Sequence, residues 1–137
     1  MKTPSIYLNF DGNCKAAFHF YQSVFGKEIS LMETFGNAEN NPMGVAEEEQ
    51  ELIMYTELNI AGIKLCGSDF VPSLGQHLVK GNANYIVLNA ESPAEADTLF
   101  AKLAVNGTIE MPMSQEFFGY CGSFEDQFGV RWMIIAE

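Results

Sequence analysis

The sequence predicts an α+β fold of two βαβββ modules that join into one cupped, mixed β-sheet with the helices on its outer side. Three observations predict it. The order strand, helix, strand, strand, strand is read twice, the second time about 80 residues after the first. Two helical segments carry a narrow apolar stripe and stop at a glycine, and the strands between them alternate apolar and polar residues. At 137 residues the chain fits one domain, with module one over about 1–70 and module two over about 82–137.

The first module opens with SIYLNF, an alternating strand that runs into Asp11-Gly12-Asn13, read as a turn and a helix cap. Cys14, Ala17, Phe18, Tyr21 and Phe25 then form the stripe of a helix, and Gly26 supplies its left-handed stop. KEISLMETF follows as a strand. The stretch from Gly36 to Glu51, with Asn40-Asn41-Pro42 and the run Glu47-Glu48-Glu49, reads as a solvated loop with its acids on the surface. LIMYTELNI and IKLCGSD, separated by Ala61-Gly62, read as a hairpin.

After a loop from Phe70 to Asn82, NYIVLNA begins the second module. Ser92-Pro93-Ala94-Glu95 reads as a full capping box with proline at the first helical position. Ala96, Leu99, Phe100 and Leu103 form the second stripe, which Asn106-Gly107 ends. TIEMPMSQ is the next strand, and FFGYCGSFEDQFGVRWMIIA reads as two strands joined at Asp126-Gln127-Phe128-Gly129, with Trp132 in the core.

Composition narrows the function. Seven basic residues against eighteen acidic ones give a net charge of −11, which repels nucleic acid and anionic lipid. Cys14, Cys66 and Cys121 are odd in number and show no CxxC spacing, so reduced, buried thiols are expected. No stretch has the length of a membrane span or the form of a signal peptide, and a cytoplasmic protein is expected.

Strand parity places candidate site residues. With Ile6, Leu8 and Phe10 turned to the helix, Ser5, Tyr7 and Asn9 face the concave side, and in the second module Tyr85, Val87 and Asn89 do the same. Tyr7, Asn9, Tyr85 and Asn89 can hydrogen-bond a polar ligand there, or satisfy one another or water. Lys64 is either an inward cation that attracts an acid or an exposed hairpin lysine. Met133 completes the set. Glu57, Glu110 and Glu116 show no pairing by spacing, and His19 and His77 have no partner at metal-binding spacing.

Three segments, YLNFDGNCKAAFHFYQSVFGKEI, ELIMYTELNIAGIKLCGSD and MPMSQEFFGYCGSFEDQFGVRWMI, together resemble the PhnB-like branch of the glyoxalase/bleomycin-resistance/dioxygenase superfamily, the vicinal oxygen chelate proteins. The resemblance implies the glyoxalase-like fold, a homodimer and, in active members, one divalent metal. In metal-using relatives the ligands are His, Gln or Glu on the first, fourth, fifth and eighth strands. Here those places hold Ser5, Tyr85 and Met133, with Lys64, Cys66, Ser68 or the neighbouring Asp69 on the fourth. Relatives also often carry His at Tyr55 and Trp at Phe118.

The expectation is therefore a homodimer that binds a small-molecule ligand without a metal or other cofactor. A metal-dependent lyase, isomerase or dioxygenase is the alternative. A ubiquinone-pathway methyltransferase, a label that accompanies some sequences of this type, is not expected, because no glycine-rich nucleotide loop joins a strand to a helix.

Overall fold

A computed structural model describes every residue from Met1 to Glu137. The chain forms two compact units, Met1–Val79 and Lys80–Glu137, each with one α-helix and a four-stranded mixed sheet.

The first unit contains β1 (Ile6–Phe10), α1 (Cys14–Phe25), β2 (Ile29–Thr34), β3 (Ile53–Ile60) and β4 (Ile63–Asp69), in sheet order β1-β4-β3-β2. β1 runs parallel to β4, and the other pairs are antiparallel. The stripe read from sequence is the face of α1 that packs on this sheet, with Cys14, Ala17, Phe18 and Tyr21 buried beside Phe10, Leu58 and Leu65. Close approach depends on Gly67, where a Cβ would lie 2.5 Å from Phe18 Cε1. Ala61 and Gly62 both take positive φ, 47° and 84°, which makes the β3–β4 connection a tight type I′ turn.

Gly26 ends α1 in the left-handed conformation, as the stripe requires. The start of α1 departs from expectation. Asn13 makes no side-chain cap; instead Asp69 Oδ1, from the end of β4, accepts from Gly12 N and Cys14 N, both at 3.0 Å. Its other oxygen accepts from Ile53 N at 2.9 Å. One buried carboxylate thus fastens the β1–α1 turn and the start of β3 to β4.

The β2–β3 connection is not wholly solvated. Phe35, Val45 and Val71 make a small apolar cluster against which Leu52 and Met54 pack. Glu49, the last of the acid run, is buried rather than on the surface.

The second unit contains β5 (Ile86–Asn89), α2 (Pro93–Leu103), β6 (Thr108–Glu116), β7 (Gly119–Glu125) and β8 (Arg131–Ala136), in sheet order β5-β8-β7-β6. Ser92 Oγ accepts from Glu95 N at 3.1 Å and Pro93 follows it, which realises the proline and the Ser92 half of the capping box that the sequence predicts. Ala96, Phe100 and Leu103 are buried on the sheet. After α2 the left-handed residue is Asn106, with φ 58°. Gly107 has a different reason to be glycine, since a Cβ there would lie 2.3 Å from the Glu125 carbonyl. Pro112 sits in β6, an edge strand, where the register shifts and a missing N–H is tolerated. Trp132 is fully buried, and its indole N–H donates to Asp126 Oδ2 at 2.8 Å.

No helix is long and apolar enough to cross a membrane.

Candidate functional site

In each unit the helix covers one face of the sheet, and the other face carries the polar and aromatic candidates. On the first, register sets Tyr7 beside Cys66 and Asn9 beside Ser68, while β3 sets Glu57 opposite Cys66 and Asn59 opposite Lys64. Tyr7, half exposed, donates from its hydroxyl to Ser68 Oγ at 2.9 Å, and Ser68 Oγ lies 3.5 Å from Asn9 Oδ1. Tyr7 and Tyr55 have ring centroids 6.1 Å apart.

Lys64 does not stand alone on this face. Its ammonium lies 3.2 Å from Glu57 Oε2, which also accepts the Tyr55 hydroxyl at 2.5 Å. The Tyr55 oxygen is 3.4 Å from Cys66 Sγ. The phenol bond, then the ammonium, holds the Glu57 carboxyl below its ordinary range. The contacts with Cys66 and then Glu57 push the Tyr55 phenol up. Glu57 is a neutralised carboxylate, not a free base.

On the second unit, Val87 and Asn89 pair with Met133 and Ile135, and Ser123 stands opposite Met133. Tyr85, just ahead of β5, donates to Glu110 Oε2 at 2.6 Å, and that bond raises its phenol pKa. Arg131 at the head of β8 organises this end of the sheet. Its guanidinium donates to Glu110 Oε1 at 2.6 Å, to Glu125 Oε2 at 3.2 Å and to the Gly81 carbonyl at 3.2 Å, and it lies 5.9 Å from the centre of the Tyr85 ring.

Of the predicted residues, Tyr7 and Asn9 meet through Ser68, Lys64 is drawn to Glu57, and Tyr85 to Glu110 and Arg131. Asn89 and Met133 lie further along the second face. Strand parity does not single out Tyr55 or Arg131, and Glu57 and Glu110, unpaired by spacing, are both ion-paired in the fold. A signal existed for the first group: an Ala-Gly turn fixes the register of β3 on β4, which puts Tyr55, Glu57, Lys64 and Cys66 on one face.

This donor set does not fit a divalent metal. No three His, Cys, Asp or Glu residues converge. Glu57, Glu110 and Glu125 are engaged by Lys64 or Arg131, and phenols, carboxamides and a thioether are poor substitutes. His19 and His77 are exposed, on α1 and in the loop after β4. Burial raises the thiol pKa of Cys14 and Cys121, so neither is an activated nucleophile.

Known proteins share this architecture. The FosX fosfomycin resistance protein of Listeria monocytogenes superposes with a TM-score of 0.68 at 16% identity, over 100% of this chain and 93% of that one, which establishes the glyoxalase-like fold. A PhnB protein from Bacillus cereus superposes with a TM-score of 0.78 at 24% identity, over 99% and 100% of the two chains. Protein PA1353 of Pseudomonas aeruginosa reaches a TM-score of 0.90 at 33% identity over 100% and 98%. Protein YjdN of Escherichia coli K12 is 35% identical over 95% of this chain and 92% of its own length. The model of the family described as 3-demethylubiquinone-9 3-methyltransferase matches residues 2–135. The chain belongs to that family, and it shares its fold with PhnB and FosX.

Proposed function

We propose that this protein binds a small organic molecule against the helix-free faces of its sheets, without a resident metal. One observation carries the reading: those faces present Tyr7, Asn9, Tyr85, Asn89 and Met133, while the carboxylates near them are already held by Lys64 or Arg131. Tyrosines and amides offer a ligand both flat apolar area and directed hydrogen bonds. On the first unit's face Lys64 keeps donors beyond the one it gives to Glu57.

Methyl transfer, named in the family's description, has no support in the β1–α1 connection. Asp11-Gly12-Asn13 is a short turn with one glycine, not a nucleotide-binding loop. The reading includes a cytoplasmic homodimer. Three buried, unpaired cysteines support a reducing compartment, and exposed Ile109, Met111, Phe117 and Phe118 on β6 and the turn after it support self-association. The net charge of −11 argues against nucleic acid and anionic membrane as partners.

The alternative is a metal-dependent lyase, isomerase or dioxygenase. It draws on the fold shared with FosX, a mutant of which has been solved with Mn(II) and 1S,2S-dihydroxypropylphosphonic acid. Metal analysis of tag-free protein, with thermal shift against nickel, manganese, zinc and iron, separates the two, because a ligand of the native state raises the melting temperature. No stoichiometric metal and no shift, followed by a shift with a member of an organic-compound library, is the expected result. A stoichiometric metal or a clear metal shift overturns the proposal.

A further inference from the structure

The β2–β3 connection, residues 35–52, is a strap with its own internal order. Asn41 brackets its tip: the side-chain amide donates to the Val45 carbonyl at 2.8 Å, and Val45 N donates back to Asn41 Oδ1 at 3.0 Å. Asn40, Asn41 and Gly44 hold this turn with positive φ. At its base Phe35 N donates to the Leu52 carbonyl at 3.1 Å and Gly36 N to the Gln50 carbonyl at 2.8 Å. The two ends meet at the Thr34–Ile53 pair between β2 and β3. A loop closed at its base and tied at its tip is built as one body on that base.

What holds the strap down is different in kind. Phe35 and Val45 rest on Val71, beyond the end of β4. Glu49 reaches the following turn, where Oε2 accepts from Ser73 N at 3.1 Å and Oε1 accepts from the Ser73 hydroxyl. Oε1 also accepts from Ala46 N at 2.9 Å, which keeps the carboxylate in line. On the other side, Asp69 accepts from Ile53 N at 2.9 Å. Glu49 and Ile53 are four residues apart, as are Asp69 and Ser73, so the β3–β4 hairpin is continued past its last backbone pair by two reciprocal carboxylate bonds.

We propose that residues 35–52 are a hinged flap, latched by Glu49 to the Ser73 turn, that opens as a unit about the Thr34–Ile53 pair and uncovers the apolar pad of Phe35, Val45 and Val71. Asp69 anchors the hinge, and Glu49 is the releasable end. The hydrogen bonds that Ser73 makes to Glu49 hold that carboxyl below its ordinary range, in keeping with a charged latch.

Hydrogen exchange read by mass spectrometry tests the latch in the intact chain. Glu49→Gln replaces one acceptor oxygen with a donor, so amides across 36–52 should exchange at least about tenfold faster, with β1, β3 and β4 unchanged. Ser73→Ala removes only the hydroxyl and should produce the same pattern at smaller size, which keeps the test decisive if Glu49→Gln does not fold. Unchanged exchange in the strap, or acceleration spread equally over the strap and β1, β3 and β4, overturns the proposal.

Discussion

Tyr55 and Glu57 stand two residues apart on β3, and the phenol donates to Glu57 Oε2 at 2.5 Å. That spacing is the strand's own period, so the backbone alone brings acid and phenol to one face. Lys64 reaches the same oxygen from β4 at 3.2 Å. Acid, phenol and cation thus form one fastened group, which sets how the face responds to pH and substitution.

The acid limb of stability follows from Glu57 and Glu49. Both carboxyls are held below the ordinary glutamate range, Glu57 by Tyr55 and Lys64, Glu49 by Ser73. A depressed folded-state pKa contributes stability above the unfolded value that is lost as pH falls through the folded one. The melting temperature is expected to decline below about pH 4.5, with a shallower decline in Tyr55→Phe and in Glu49→Gln. Melting curves through the acid range check this, and an unaltered acid limb in both variants would sink it.

At alkaline pH the sign is opposite. The Tyr55 phenol is raised by its contacts with Cys66 and Glu57, so its contribution is full below about pH 10 and declines as pH rises toward the folded-state value. Spectrophotometric titration of the tyrosines should show Tyr55 ionising late, along with Tyr85 and Tyr120, whose phenols Glu110 and Asp97 also raise. Glu57→Gln should move the Tyr55 phenol part of the way back, since Cys66 remains beside it.

Asp69→Ala leaves Gly12 N, Cys14 N and Ile53 N without their acceptor. A lost helix cap and orphaned buried amides should together cost roughly 2–4 kcal/mol in urea unfolding. A loss well under 1 kcal/mol would mean that water or Asn13 takes over the cap.

Gly67→Ala should destabilise by about 1–3 kcal/mol through overpacking. The added methyl would meet the buried Phe18 ring, Cε1 at 2.5 Å and Cζ at 2.9 Å. Combining it with Phe18→Leu should recover part of the loss, and a double variant no better than the sum of its parts would remove this contact as the cause.

Tyr7→Phe and Asn9→Ala separate ligand binding from folding. Both residues are largely exposed, so the melting temperature of the free protein should move little. For a compound that stabilises the wild type, each variant should weaken affinity about fivefold or more, the worth of one hydrogen bond. Wild-type affinity in both variants would remove these residues from the ligand's contacts.

Much of the architecture is legible along the chain because its causes are local. The stripe Cys14, Ala17, Phe18 and Tyr21 has helical period, Gly26 and Ser92 stop and start helices by their own backbone and hydroxyl, and Ala61-Gly62 sets the register of a hairpin. The alternation of Tyr7 and Asn9 with Ile6, Leu8 and Phe10 likewise separates the two faces of β1 before any partner strand is known.

The charged groups were legible only in part. Glu49 sits in a run of three acids that reads as surface, yet its partner is Ser73, which nothing in the local pattern marks. Gly107 reads as a helix stop, while its actual constraint is the Glu125 carbonyl across the sheet. Arg131 offers no spacing signal, because Glu110 lies on the far edge strand and is turned by a register shift.

By itself the sequence determined two βαβββ units and the side chains on each strand face, since period, caps and tight turns act over a few residues. Only the tertiary structure decided what those side chains do. Asp69 caps a helix 55 residues away, Tyr7 finds Ser68 61 residues along, and Lys64 and Arg131 pair with Glu57 and Glu110. A carboxylate's role depends on which donor lies within about 3 Å of it, and that distance is set by packing between elements rather than by order along the chain.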